Sequence, residues 1–92
     1  MKVTVKYGAQ ARVATGIPVE EVDLDEPLTI HDLVIRLARQ HGSAFRRLAL
    51  DANGCPHPSL LVAIGDDQVR AFDHRKVAAG ETVTILTPIS GG

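Results

Sequence analysis

The stretch whose reading decides the fold is VAAGETVTILTPISGG, Val77–Gly92. It divides into three parts. Ala78-Ala79-Gly80-Glu81 reads as a turn, because Gly supplies the backbone freedom that a tight reversal needs. Thr82-Val83-Thr84-Ile85-Leu86-Thr87 is rich in β-branched residues, which pack well on a pleated surface, and predicts a strand. Pro88 has no N–H to offer a ladder and ends the pairing. Ile89, Ser90, Gly91 and Gly92 follow as a short tail, and its last two residues are the ones least able to hold structure. The apolar content of the strand predicts a central place in a sheet, so the rest of the chain must supply its neighbours.

Lys2 to Tyr7 alternates, with Val3, Val5 and Tyr7 on one face and Lys2, Thr4 and Lys6 on the other. This period of two predicts a half-buried strand. Gly8 to Pro18 is polar and contains Gly, and reads as a loop or wide turn. Val19 to Leu24 places Val22 and Leu24 in phase and predicts a second strand, a hairpin partner of the first, stopped by Asp25-Glu26-Pro27.

The helix signal follows. Thr29 is a capping residue, and Asp32 stands three positions later, where a capping box carries its acid. Ile30, Leu33, Val34, Leu37, Ala38 and His41 recur on one face of a 3.6-residue period. Asp32 lies at the positive end of the helix dipole, and Arg36, Arg39 and His41 come late, as the dipole favours. Gly42 is a natural left-handed residue just past the end. Ile35 falls off the buried stripe, on the surface or under a loop. Ser43 to Leu50 fits either a short helical turn or a short strand. Asp51-Ala52-Asn53-Gly54 is a turn signal, and Cys55-Pro56-His57-Pro58 is irregular. Leu60 to Ile64 is a continuous apolar run, the pattern of a strand buried on both faces. Gly65-Asp66-Asp67 turns, and Gln68 to Phe72 reads as a short edge strand.

The elements therefore run strand, strand, helix, strands. A helix after the first hairpin allows a right-handed crossover, and a mixed sheet packed against one helix is the simplest solution. The fold class is α+β, with a four- to five-stranded sheet.

Ninety-two residues make one domain, and a chain of this size buries about 60–65 % of its unfolded surface in one modest core. The hydrophobic share is 45 %, the charged share 23 % and the net charge −1. That balance lacks the basic footprint of a nucleic-acid or anionic-membrane binder. Tyr7, Phe45 and Phe72 are the only aromatics, too few for stacking bases. A single cysteine, Cys55, forbids an internal disulfide and favours a reducing compartment. No apolar run reaches the length of a membrane span. The alternating N-terminus lacks the apolar block of a signal peptide. The expected location is cytoplasmic.

The β-β-α-β-β order, together with the Gly-Gly end, resembles the ubiquitin-like β-grasp sulfur carriers. The resemblance covers essentially the whole chain. It is nearest to the small subunit of molybdopterin synthase and more distant to the thiamin sulfur carrier. Its most specific part is Val77–Gly92. Relatives commonly carry Gly-Asp in the turn and two prolines before the tail, where this chain has Gly80-Glu81 and Thr87-Pro88. They often carry Asn-Gly where this chain has Gly65-Asp66-Asp67. The thiamin carriers tend to be shorter and to lack the counterpart of Asp51–Pro58, which tips the reading toward the molybdopterin side.

The resemblance implies a β-grasp domain over residues 1–88 and a tail over 89–92. It implies that the Gly92 carboxylate is adenylated and converted to a thiocarboxylate that donates sulfur. An α-carboxylate is an anion at neutral pH, with an ordinary pKa near 3.3–3.7, and a poor electrophile. ATP, used by a partner, supplies the leaving group, and the chain itself holds no cofactor. Gly91 and Gly92 pass a narrow channel because they lack side chains, Pro88 stops the strand, and Ile89 and Ser90 contact the channel. The implied partners are an adenylylating, ubiquitin-activating-like enzyme and the large subunit of molybdopterin synthase or another sulfur acceptor. The chain is then a co-substrate and not an enzyme by itself. The partner surface is expected on the sheet face away from the helix. Leu60–Ile64 is apolar on both phases and Leu86 lies out of phase with Val83 and Ile85, so one of these sets faces away from the helix. Leu86 is expected on that surface, and Phe72 is a further contributor.

Other constellations carry less. Cys55 and His57 lack the third, orienting group of a nucleophile–base pair. His31, His41, His57 and His74 do not have metal-ligand spacing, so no metal is expected. Asp51-Ala52-Asn53-Gly54 lacks the later acids of a calcium loop. Arg36, Arg39, Arg46 and Arg47 read as a solvated face or as a docking patch for an acidic partner. Three functions stay open: a sulfur carrier, for molybdopterin or for thiamin, cysteine or tRNA thiolation; a modifier joined through Gly92 to target lysines; and an interaction module with an inert tail.

Overall fold

The computed structural model describes residues 1–70 and 72–87. Ten elements follow in order: β1 (Lys2–Ala9), α1 (Gln10–Thr15), β2 (Val19–Asp23), β3 (Leu28–Thr29), α2 (Ile30–His41), α3 (Ser43–Ala49), β4 (Leu61–Ile64), β5 (Asp67–Val69), β6 (Lys76–Val77) and β7 (Thr82–Thr87).

Helix α2 forms where its period and cap specify it. The Thr29 Oγ1 accepts the Asp32 backbone N–H at 3.2 Å, satisfying one of the orphan donors of the first turn. The Asp32 carboxylate turns to His31 Nδ1 instead of back to Thr29, so only half of the expected box is made. Ile30, Leu33, Val34, Leu37 and Ala38 are buried. They pack in one core with Val3, Val5, Val22, Val62, Ile64, Val83 and Ile85, the inward residues of β1, β2, β4 and β7.

The main sheet has the order β2-β1-β7-β4-β5, so β7 is central, as its composition predicts. It runs parallel to β1, with Tyr7 beside Ile85 and Gly8 beside Leu86. It runs antiparallel to β4, with Leu61 opposite Leu86. β1 and β2 form the expected antiparallel hairpin. No helix among the described residues is long and apolar enough to cross a membrane.

Five local expectations are corrected. The loop expected over Gly8–Pro18 is instead the end of β1, the six-residue helix α1 and a left-handed Gly16 that returns its N–H to Arg12. α1 is too short to show a period, and it forms because Ala11 is fully buried against the core. Gly42 has a positive φ of 85° with an extended ψ of −165°, not a left-handed cap. Its carbonyl accepts Arg46 N–H, so the chain turns directly into α3, which resolves Ser43–Leu50 as helical.

β4 is covered on one face only. Val62 and Ile64 are buried and Leu61 is 45 % exposed, because every helix packs on the same side of the sheet. The edge strand β5 ends at Val69 and does not reach Phe72. Asp73 Oδ2 takes the Arg70 N–H and the Asp73 N–H returns to the Arg70 carbonyl, closing a turn. Val77, which the sequence groups with the Ala78–Glu81 turn, instead joins Lys76 in β6, pairs with β3 and is fully buried. The reversal that follows is held by Glu81, which accepts the Ala78 N–H at 2.7 Å.

Candidate functional site

β7 carries the chain from the Glu81 turn to Thr87, between β1 and β4. Its side chains alternate: Val83, Ile85 and Thr87 point into the core, and Leu86 points outward at 38 % exposure. The Thr87 Oγ1 is buried without a hydrogen-bond partner among the described residues. Gly92, Gly91, Pro88, Ile89 and Ser90, the residues expected to carry the chemistry, lie outside the described residues.

On the outward face Gly8, Leu86 and Leu61 stand in one row across three strands. Gly8 leaves room there: a Cβ on it would overlap Leu86 Cδ2. Leu86 and Leu61 therefore form an exposed apolar pair at the end of the sheet where β7 finishes. Phe72, 72 % exposed, borders the same end beyond β5. It lines a groove of about 500 Å³ together with Leu61, Leu60, Pro58, Val69 and Arg70. Leu61 thus links the two residues expected at a partner surface. Its own exposure follows from alternation against Val62 once one face of β4 is known to be open.

A second constellation is absent from any linear pattern. Tyr7 on β1, Glu20 on β2, and Gln40 and His41 on α2 meet above the Phe45 ring. The Tyr7 hydroxyl donates to Glu20 Oε2 at 2.6 Å. Gln40 donates to Oε1 at 2.8 Å. His41 Nε2 lies against Glu20 Oε2 and is 3.2 Å from the Tyr7 hydroxyl. The rings of Tyr7, His41 and Phe45 pack edge to face in pairs, with centroids 5.5–5.8 Å apart. Burial pushes the Tyr7 hydroxyl up in pKa, and the Glu20 carboxylate pushes it further. Burial also pushes Glu20 up, but the hydrogen bonds from Tyr7, His41 and Gln40, with the His41 charge, outweigh it and hold Glu20 below its ordinary value. With Tyr7 protonated and Glu20 ionised, this cluster pins the hairpin to the end of α2.

The remaining candidates separate. His57 Nδ1 is engaged by the Ser59 hydroxyl at 2.7 Å and the Ser59 N–H, and is not paired with the exposed Cys55. The Asp51 carboxylate accepts the N–H groups of Asn53 and Cys55, closing a turn on itself. Arg36 donates to the Asp23 carbonyl at 2.7 Å, while Arg46 and Arg47 stand exposed on α3. Among the described residues no three His, Cys, Asp or Glu side chains gather to hold a metal ion.

Solved structures share this architecture. SAMP1 from Haloferax volcanii superposes with a TM-score of 0.84 at 22 % identity, covering 100 % of both chains. SAMP1 from Methanosarcina acetivorans gives 0.77 at 22 % identity, over 99 % of this chain and 96 % of that one. A putative molybdopterin converting factor subunit 1 from Pyrococcus furiosus gives 0.68 at 23 % identity, over 97 % and 99 %. The fold is the ubiquitin-like β-grasp. No curated protein matches the chain. The family model that does match, described as the ThiS family, runs over residues 5–92, from the first strand through the Gly-Gly end, and the chain belongs to that family.

Proposed function

We propose that this chain is a sulfur carrier whose Gly92 carboxylate is adenylated and then converted to a thiocarboxylate, and that it serves molybdopterin biosynthesis. One observation carries the reading: in a chain of the ThiS family, the central strand β7 leads directly into a segment ending in Gly91-Gly92. In the activating step a Gly92 carboxylate oxygen attacks the α-phosphorus of ATP and pyrophosphate leaves. A sulfur nucleophile then displaces AMP. The chain supplies the carboxylate and a slim approach to it, and the partner supplies the catalytic groups. Leu86, Leu61 and Phe72 form the apolar surface on which the activating enzyme and the sulfur-accepting large subunit dock, as an exposed apolar patch on a small domain implies.

The test is mass spectrometry of the whole protein after incubation with an adenylating enzyme, ATP and a sulfur source. The wild type gains the mass of one oxygen replaced by sulfur. Deleting Gly92 shortens the reach by about 3.3–3.6 Å, far more than the ~0.5 Å within which a catalytic constellation must be held. That variant, and one extended by a single residue, gain nothing. Thiocarboxylation of the shortened chain at the wild-type rate overturns the reading.

A second reading is favoured by the structural neighbours from Haloferax volcanii and Methanosarcina acetivorans, which are small archaeal modifier proteins. In it Gly92 is joined to target lysines. Recovery of Gly92 in an isopeptide bond, with no thiocarboxylate formed, selects that function over the carrier.

A further inference from the structure

One wall of the groove beside β4 and β5 comes from the loop between Asp51 and Leu60, and that loop is held from within. The Asp51 carboxylate accepts the N–H groups of Asn53 at 2.8 Å and Cys55 at 3.1 Å, and the Asp51 N–H donates to the Cys55 carbonyl at 2.8 Å. The His57 N–H donates to the Ala49 carbonyl at 2.7 Å, which ties the loop to the end of α3. The Leu60 N–H donates to the His57 carbonyl at 3.1 Å. Pro56 is buried and bridges to Leu50, and each proline ring fixes one backbone dihedral. Pro56, Pro58 and Leu60 therefore present a preformed apolar wall. Leu61, Val69 and Phe72 also line the groove. Its volume of about 500 Å³ lies inside the roughly 300–1,000 Å³ of small-molecule sites.

His31, His57, Gln68 and Arg70 supply the polar groups of the groove, and no carboxylate lines it among the described residues. Arg75 is paired with Asp67 and Glu81, whereas the Arg70 guanidinium has no carboxylate partner among the described residues. It lies 5.9 Å from the centroid of the exposed Phe72 ring, so the one permanent positive charge of the groove sits against an apolar face. The neighbouring carboxylates are engaged elsewhere, Asp73 on the Arg70 backbone N–H and Asp32 on His31 Nδ1. The Ser59 N–H donates to His57 Nδ1, so the proton of the neutral His57 ring is on Nε2 and provides a further donor. One permanent cation beside an apolar trough matches a singly charged head group, and a planar guanidinium matches a carboxylate.

We propose that the groove is a binding site for a small apolar carboxylate, a molecule with one planar or branched apolar body and a single carboxylate group. The body packs between the Pro56–Pro58 wall and Phe72, and the carboxylate meets Arg70. Burial of the body supplies the affinity, and Arg70 supplies the preference for an anion. The site does not rest on the role of Gly92.

The probes are indole-3-acetate and its neutral isostere indole-3-acetamide, titrated into the full chain and followed by amide and side-chain NMR. Indole-3-acetate is expected to shift His31, His57, Val69, Arg70 and Phe72 saturably. It is expected to bind about two- to fivefold more tightly than the amide, the scale of one exposed ion pair. Arg70→Gln is expected to remove that preference and to leave the affinity for the amide unchanged. Phe72→Ala is expected to weaken both probes. Both side chains are exposed, so both variants keep the dispersed spectrum of the fold. Equal affinity of the wild type for the two probes, or an Arg70→Gln variant that keeps the preference, overturns the proposal. A spectrum unmoved by either probe at millimolar concentration leaves the groove to a protein partner and overturns it as well. Shifts at these residues that grow with protein concentration in the absence of probe assign the groove to a second copy, with the same consequence.

Discussion

Gly8 and Leu86 lie side by side on the parallel strands β1 and β7, and the space that a Cβ on Gly8 would fill is occupied by Leu86 Cδ2. The missing side chain on one strand therefore sets the rotamer of the exposed leucine on the next. Gly8→Ala forces Leu86 to swing, which is inexpensive because the clash falls on the far end of a half-exposed side chain. Overpacking at a closed site costs about 1–3 kcal/mol, and Ala in place of Gly within a strand recovers about 0.5–1 kcal/mol. The expected stability change is within about 1 kcal/mol by urea denaturation. Binding to the proposed activating enzyme is expected to fall for Gly8→Ala and to fall further for Leu86→Glu, both folded. Unchanged binding of folded Leu86→Glu, measured by calorimetry, places the docking surface elsewhere.

Leu37 is fully buried on α2, inside the core formed with β1 and β7. Leu37→Ala is expected to cost about 2–5 kcal/mol, the transfer loss plus the cavity. Chemical denaturation that shows a loss below half a kilocalorie would put that helix face outside the core.

Glu20 gives the protein a definite pH signature. Its folded-state pKa is depressed, so between that value and the ordinary glutamate value near 4.3 the unfolded chain binds more protons than the folded one. Stability from this carboxylate is complete above about pH 5 and is lost as pH falls through the folded value. Glu20→Gln removes a charged acceptor shared by Tyr7, His41 and Gln40. It is expected to cost about 1.5–3 kcal/mol at pH 7, the scale of hydrogen bonds to an ionised group. The gap from wild type narrows as pH is lowered toward 3. A gap that stays constant between pH 7 and 3 refutes an ionised Glu20 at the centre of the cluster.

Ala9 joins β1 to α1 with φ 54° and ψ −132°, the one non-glycine residue at positive φ among those described. A backbone held in such a region costs about 1–3 kcal/mol. Ala9→Gly removes that strain, and the greater freedom of Gly in the unfolded chain offsets part of the gain. The melting temperature is expected to stay level or rise. A clear fall, by more than about 4 °C, would mean that the junction is not strained.

Elements whose chemistry is local were legible in the sequence. α2 was specified by a single cap and an unbroken apolar stripe, since Thr29, Leu33 and Leu37 act over one to three turns. β1 and β7 were specified by alternation and β-branching, and the central place of β7 by its apolar content. The Gly80-Glu81 turn and the Gly-Gly end, with that element order, were enough to indicate the family. Tertiary structure alone decided the rest. α1 exists because Ala11 finds the core, not because six residues carry a helical period. The apolar run of β4 reads the same whether one face or both are covered, and only the placement of all the helices on one side exposes Leu61 beside Leu86. Tyr7, Glu20 and His41 are 13 and 21 residues apart along the chain. No short-range pattern joins them, and they meet only because the hairpin and the end of α2 converge on Phe45.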